Sequence, residues 1–475
     1  MNTFAKKLTW RQKIKGHVSG PVGSILFHAL LITLMIRFLT GADFRETRQE
    51  TRIDLIAPKE PIPIPVPLPD DVTPDGPMAQ GPDVPLPFPS PDKPEAPPAA
   101  TIALDPENLV KMDVAGGPVT TIFIKDPKLT ERTEKVRINT PPEVHNAVLR
   151  ALNWLRDNQN PDGSWNSSHQ VGNTGLGLLT FFAHGAGMDD PQYGVTVEKA
   201  LRYLLAHVRE NGEFDAARGH AYVYEHAIGT YALADAYLLT HIPEVKLKLE
   251  RAVNVLLKGQ LAASGGWDYG YDPASSRNDA SVSAWQVQAL KAVLISGAEV
   301  PGVLEALEKS LGGMRALQDK ASGEFAYSSQ TPRHNPGLTA LGVLSFQYAG
   351  QKDSPEARKG LTALKGVKAT TDLSDWPFYS WYYITQAKYL AKGAVWDEWN
   401  RQITTRLMTS QARDGSWTSV AAGEKDLGRA YTTTLAALSL QVYSKHLSTS
   451  GDRALAMPAR RDAPLQAGDD IGIRL

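Results

Sequence analysis

The segments of this chain best equipped for chemistry are short and far apart: Tyr224-Glu225-His226, Asp279-Ala-Ser281-Val-Ser283-Ala-Trp285-Gln286, His334, Tyr379-Ser-Trp381-Tyr382 and Arg429-Ala-Tyr431. A carboxyl and an imidazole act as an acid–base pair if the fold brings Asp279 beside His226, because burial raises a carboxyl pKa and keeps the group protonated near neutrality. The competing reading of Asp279 is a helix N-cap, since Asn278-Asp279-Ala-Ser281 precedes an apolar-periodic stretch. His226 and His334 read equally well as hydrogen-bonded structural histidines. The tyrosines from 379 to 383 suit either inner packing, with phenols facing a cavity, or a cation cage. No cysteine occurs in 475 residues, which removes thiolate nucleophiles, thioesters, thiolate metal sites and disulfides together. No cofactor and no metal is expected. Fifty Lys and Arg against 51 Asp and Glu leave a net charge of -1, so no broad field invites nucleic acid.

A repeated unit must position these residues. Gln159-Asn-Pro-Asp-Gly163-Ser-Trp165 returns as Gln411-Ala-Arg-Asp-Gly415-Ser-Trp417, with looser copies at Gln260 with Gly266-Trp267, Gln318 with Gly323 and Phe325, and His207 with Gly212 and Phe214. The aromatic positions lie 49, 53, 58 and 92 residues apart, and the last gap is two periods of 46, which places a degenerate copy between Lys365 and Trp376. Helix-period stretches precede the copies, such as Val144 to Leu155, Leu247 to Leu257 and Trp399 to Met408. Second stretches follow at Thr174 to His184, Tyr224 to Leu239, Ser281 to Ile295, Gly337 to Tyr348, Tyr379 to Leu390 and Tyr431 to Tyr443. Six helical hairpins result.

An open solenoid needs capping units with a polar outer face, and no end unit here has one. The sequence therefore predicts an all-α fold over 141–448, an α6/α6 toroid, with the small, apolar second helices as its inner ring. The starts of those helices converge on one mouth, which predicts a ligand site of Tyr224, His226, Asp279, Trp285, His334, Tyr379, Tyr382 and Tyr431, with Asp279 and His226 the catalytic candidates. The repeated Gln, Gly and Trp read as structural, with carbohydrate stacking on Trp165, Trp267 or Trp417 the alternative.

These repeats resemble the QW-type repeats of the squalene cyclase and protein prenyltransferase superfamily, and bacterial prenyltransferase/squalene-oxidase-repeat proteins with segments like YEHAIGTYALADAY, NDASVSAWQVQAL and YSWYYITQA. The resemblance implies the α/α toroid. Asp279 to Gln286 is similar to the Asp-x-Cys-Tyr-Ser-Phe-Trp-Gln of prenyltransferases but has Ser281 at the Cys position. Ala430-Tyr431-Thr432 stands where that family has Tyr-His-Thr, so two of its three zinc ligands become hydroxyls, which bind zinc poorly. Glu225-His226-Ala-Ile-Gly229-Thr230-Tyr231 resembles the family's diphosphate-contacting Glu-x-His-Gly-Gly-Tyr-Thr, which implies a polar anchor at His226. The Asp-x-Asp-Asp acid of class II cyclases has no counterpart in the toroid.

Ahead of the toroid, Lys6, Lys7, Arg11, Lys13 and Lys15 stand in a first segment, 1–20, that has no acid, and Val22 to Ile36 is uncharged. This predicts a transmembrane anchor over 21–40 with a cytoplasmic amino terminus, a cleaved signal peptide being the competing reading. Ser24 and His28 lie one turn apart on a single face. With the basic start and the prolines behind it, the segment resembles the anchor of the TonB energy-transducing family, which implies a proton-channel partner complex facing Ser24 and His28. Residues 41–100, with the run EPIPIPVPLPD from Glu60 to Asp70, read as a polyproline spacer. An extended arm over 101–140 and a disordered tail over 449–475 complete the chain. The toroid is thus expected in the periplasm, held at the inner membrane by a single span.

Three roles stay open. One is a non-catalytic module binding an apolar or amphipathic ligand, a peptide or an envelope partner. The second is a diverged cyclase or transferase using Asp279 and His226. The third is a TonB-like transducer with the toroid as its partner-binding domain.

Overall fold

A computed structural model describes residues 109–113, 120–124, 140–216, 218–443, 447–450 and 453. The anchor, Ser24, His28 and the proline spacer lie outside the described residues. Within these, no helix is long and apolar enough to cross a membrane.

The segment expected to be an extended arm contains two paired strands. β1 (Leu109–Asp113) and β2 (Thr120–Ile124) run antiparallel, with Leu109 opposite Ile124 and Asp113 opposite Thr120. The β-branched and aromatic run Thr-Thr-Ile-Phe-Ile favours the pleat of β2.

Among the described residues twelve helices with assigned bounds follow, paired as six hairpins: α1 (Pro142–Asp157) with α2 (Gln170–His184), α3 (Gly194–His207) with α4 (Tyr222–Thr240), and α5 (Pro243–Lys258) with α6 (Ala280–Ser296). The remaining pairs are α7 (Val303–Ala316) with α8 (Pro336–Tyr348), α9 (Pro355–Ala363) with α10 (Pro377–Ala391), and α11 (Gly393–Ser410) with α12 (Arg429–Leu440).

Burial separates two layers. α1 buries Val144, Ala147, Val148, Ala151, Leu152 and Leu155, spaced three and four apart, and so presents one apolar stripe. α2 is buried at every position from Val171 to His184, as a helix enclosed on all sides must be. Odd-numbered helices therefore form an outer layer and even-numbered helices an inner ring. Each inner helix packs on the next, and α12 packs back on α2, while α11 meets α1 outside them. Three side-chain amides hold this closing seam: Gln411 Nε2 donates to Ala147 O (2.8 Å), Gln441 Nε2 to Thr180 O (3.2 Å) and Asn166 Nδ2 to Leu427 O (2.9 Å).

The repeated motif is the seam between neighbouring hairpins. Gln159 Nε2 donates both to Gly163 O (3.0 Å), across its own turn, and to Thr196 O (2.9 Å) in the first turn of the next outer helix. Gln260, Gln318 and Gln411 repeat this double bond onto Ala306, Glu356 and Ala147. Trp165, Trp267 and Trp417 each donate Nε1 to a carbonyl at the end of the preceding outer helix at 2.8 Å. Their rings are 1%, 0% and 0% exposed, so no sugar can stack on them. Gly163 has φ +93°, and a Cβ there would stand 2.3 Å from Lys199 O, so both conformation and space demand glycine.

One register needs correction. The turn glycine of the third copy is Gly265 (φ +83°), and Gly266 occupies the position of Ser164. The fifth copy is degenerate as expected: α9 has nine residues, and Gly366, at φ +73°, meets nothing that a Cβ would touch.

Opposite the inner-helix starts, the chain folds back after α12. Leu447, Ser448 and Thr449 are buried. Ser448 donates its N–H (2.8 Å) and Oγ–H (3.2 Å) to the Asp235 carboxylate on α4, and the Thr449 and Tyr231 hydroxyls hydrogen-bond. The tail expected from 449 onward thus begins inside a packed contact, where small hydroxyl side chains satisfy a buried carboxylate and a buried phenol. Burial pushes the Asp235 carboxyl up to about 7, against the pull of Ser448.

Candidate functional site

A cavity of about 410 Å³ opens at the N-terminal ends of the inner helices, and all six contribute to its wall. Leu176, Ile228, Trp285 and Leu338 give it apolar surface, and hydroxyl, imidazole and amide groups surround them.

Of the eight residues predicted as the ligand site, Tyr224, Trp285, Tyr379 and Tyr431 line this cavity, as do Glu225 and Ser281 from the same segments. His226, Asp279, His334 and Tyr382 are absent from its lining, for four different reasons. His226 is fully buried: Phe214 N donates to its Nδ1 (3.4 Å), which puts the imidazole proton on Nε2, 3.1 Å from Ala252 O. Burial lowers its pKa to about 4, so it is a neutral structural histidine. Asp279 is the N-cap of α6, its Oδ1 accepting from Val282 N (3.0 Å) and its Oδ2 pairing with Arg277 Nη2 (2.6 Å). The Tyr382 hydroxyl donates to Gln288 Oε1 (2.9 Å) inside the ring. His334 is exposed beside its backbone bridge to Ala326. Asp279 and His226 thus make separate hydrogen bonds, and the acid–base pair that sequence allows is not assembled.

The loops between outer and inner helices supply residues that sequence reading passed over. Tyr269 and Tyr327 line the cavity, and each stands two residues after a repeat aromatic, Trp267 or Phe325. That offset was a readable signal. His169, His220, Arg333, Asn335 and Trp376 come from the same loops, and Trp376 is 41% exposed at the rim.

Helix starts carry partial positive charge, and carboxylates answer it at three of them. Asp279 caps α6. Glu225 Oε2 accepts from Gly172 N (3.2 Å) at the start of α2, while its Oε1 meets His169 Nδ1 (3.0 Å). That bond to Glu225 raises the His169 pKa. Glu424 accepts from Phe378 N (3.3 Å) and Tyr379 N (2.9 Å) at the start of α10, and burial lifts its pKa to about 7.

Hydroxyls form a chain from the cavity to Asp279. Tyr327 OH meets Tyr269 OH (2.6 Å), Tyr269 OH meets Tyr224 OH (3.2 Å), Tyr224 OH meets Ser281 Oγ (2.8 Å), and Ser281 Oγ reaches Asp279 Oδ1 (2.6 Å). A carboxylate paired to arginine only accepts, so Ser281 donates to it and every phenol upstream donates toward Asp279. The chain fixes proton direction; it offers no free base.

Among the described residues, no three His, Asp or Glu side chains stand together as a metal site requires. What the arrangement does chemically is present aromatic faces and oriented hydrogen-bonding groups in a partly enclosed space.

No family model matches the chain, and no curated protein matches it. Among solved structures, it is similar to an inactive variant of the α-1,6-mannanase GH76A of Salegentibacter sp. HEL1_6, in complex with α-1,6-mannotriose. That match has 13% identity and a TM-score of 0.50, covering 64% of this chain and 99% of that one. A cellobiose 2-epimerase from Spirochaeta thermophila matches with 14% identity and a TM-score of 0.48, over 67% of this chain and 97% of that one. A variant of the type II terpene cyclase MstE from Scytonema matches with 13% identity and a TM-score of 0.27, over 68% and 99%. At 13% identity the likeness to the mannanase speaks for fold alone.

Proposed function

We propose that the toroid is a non-catalytic binding module that takes a small ligand with both apolar and polar faces into the cavity at its inner-helix starts. The observation that supports this most is how the carboxylates near the cavity are used. Asp279, Glu225 and Glu424 each hold a helix start, and Asp279 is further neutralised by Arg277. Acid–base chemistry needs a carboxyl or imidazole free to exchange a proton with a bound molecule. A cavity that all six inner helices line, with the nearby carboxylates so engaged, favours retention over turnover.

Native mass spectrometry of the gently extracted full chain tests the reading, together with incubation of that chain with an isoprenoid diphosphate and with a mannan oligosaccharide. The expected result is a small molecule bound one to one, released unchanged, and retained less by Trp376→Ala and Tyr431→Phe. Turnover of either compound overturns the reading, as does equal retention by both variants.

The module's setting is proposed with it: a periplasmic toroid carried on an inner-membrane anchor and a proline spacer. In that setting, Ser24 and His28 engage a proton-channel complex, and Ser24→Ala with His28→Ala is expected to abolish co-purification of the two. Unchanged co-purification counts against that engagement.

A further inference from the structure

One wall of the cavity is a ladder of stacked rings and cations. His220 lies on Tyr269 with ring centroids 4.4 Å apart and planes 26° from parallel. The Arg277 guanidinium stands 4.9 Å from the Tyr269 ring and 5.3 Å from the Tyr327 ring. Arg333 stands 4.5 Å from the Tyr327 ring. The charges in this ladder are not equivalent. Arg277 is neutralised by Asp268 (2.5 Å) and Asp279 (2.6 Å), whereas Arg333, exposed at the cavity, makes no ion pair among the described residues. A guanidinium resting on an aromatic ring is held in place while its donor edge stays available, which suits it to grip a carboxylate.

The phenol edge of the same ladder adds a second requirement. Because Tyr327 donates to Tyr269, Tyr269 to Tyr224 and Tyr224 to Ser281, the hydroxyl hydrogens all point away from an approaching molecule. What the phenols offer a ligand is lone pairs, so the ligand must donate. An alkyl chain would offer no donor to the Tyr327 oxygen, which stands at the open end of the chain and accepts nothing from it. An ammonium group would donate but would also face Arg333. Sugar hydroxyls donate without charge, and the C–H face of a sugar ring suits the aromatic surface of Trp285, Tyr379 and Tyr431.

From these two constraints we infer that the ligand is an acidic saccharide, with a uronate-type carboxylate on Arg333 and ring hydroxyls donating to Tyr327 and its neighbours. This inference rests on the binding-module reading and narrows it. The test is calorimetric titration of the full chain with tetragalacturonate, with maltotetraose as the neutral counterpart and tetraglutamate as an acidic peptide. Tetragalacturonate is expected to bind at least about tenfold more tightly than maltotetraose, which corresponds to about 1.4 kcal/mol. That preference should shrink as salt rises. Arg333→Gln should abolish the preference, and Arg333→Lys should keep part of it, with circular dichroism confirming that both fold. Equal binding of the neutral oligomer with a silent Arg333→Gln overturns the acidic ligand while leaving the module intact. Tighter binding of tetraglutamate overturns the saccharide. Failure of tetragalacturonate to bind at millimolar concentration also overturns the inference, and native mass spectrometry of the same preparation then shows separately whether the module reading survives.

Discussion

The seams between hairpins and the mouth of the ring are made by the same chain to opposite rules. At the seams the same devices recur: a glutamine bonded twice at four of them, a turn glycine with positive φ at five, and a buried tryptophan bonded to the helix before it at three. At the mouth the inner helices agree less: a tyrosine recurs at the third position of α4, α10 and α12, but α4 adds a glutamate and α6 supplies a serine and a tryptophan instead. Repetition closes the ring, and departure from repetition furnishes it.

Substitutions break or sharpen that division. The largest effect is expected at the closing seam. Trp417→Ala leaves a cavity and removes the Nε1 donor from the Leu407 carbonyl, and should cost about 3–5 kcal/mol in urea unfolding. A cost below 1 kcal/mol would mean the seam does not hold the ring. Gly415→Ala comes next, at about 2 kcal/mol or more, because φ is +95° and the new Cβ would stand 2.3 Å from Arg150 O. Gly366→Ala sharpens the point: with φ +73° and no neighbour to meet, it should lose only the backbone part, about 1–2 kcal/mol. Equal costs would show that the close approach contributes nothing.

The far end of the ring predicts a pH effect. Asp235 has a folded pKa of about 7 against about 3.9 unfolded, so between these values the native state holds a proton that the unfolded state has lost. Its contribution therefore falls as pH rises through that window. His226 and His184, lowered by burial to about 4, act in the opposite sense below pH 6.5. Asp235→Asn removes the falling part, so the variant's stability should climb more steeply than wild type from pH 4 to 7 in parallel denaturation series. A shallower climb contradicts the burial of Asp235. The smallest stability effect is expected at the mouth, where Tyr431→Phe should stay within about 0.5 kcal/mol of wild type while weakening ligand retention.

Much of the fold was legible because it repeats. The period could be read from Gln, Gly and aromatic residues at matched offsets, the hairpin number from the helix-period stretches around them, and the inner placement of the second helices from their small, apolar residues. Gly265 and Gly266 could not be told apart, since both fit the motif and backbone φ alone distinguishes them. The N-cap at Asp279 was readable from local sequence, and its ion pair with Arg277 fixes it there. Tyr269 and Tyr327 escape a site list drawn from the inner-helix starts, although their offset from the repeat aromatic marks them. The contact of Ser448 with Asp235 joins residues 213 apart in the chain, and no periodicity announces such a bond. Expectations for residues 1 to 100 fall outside the described residues.

All of this depends on the ring being closed, and the absence of cysteine makes that directly measurable. Spin labels at Asn146→Cys on α1 and Thr405→Cys on α11, both exposed, report the separation of the first and last hairpins. Neighbouring packed helices lie about 8–10 Å apart, so a closed ring predicts one narrow distribution at short distance, within the reach of two labels on adjacent helices. A broad or long distribution, as an open superhelix would give, contradicts closure and removes the cavity with it.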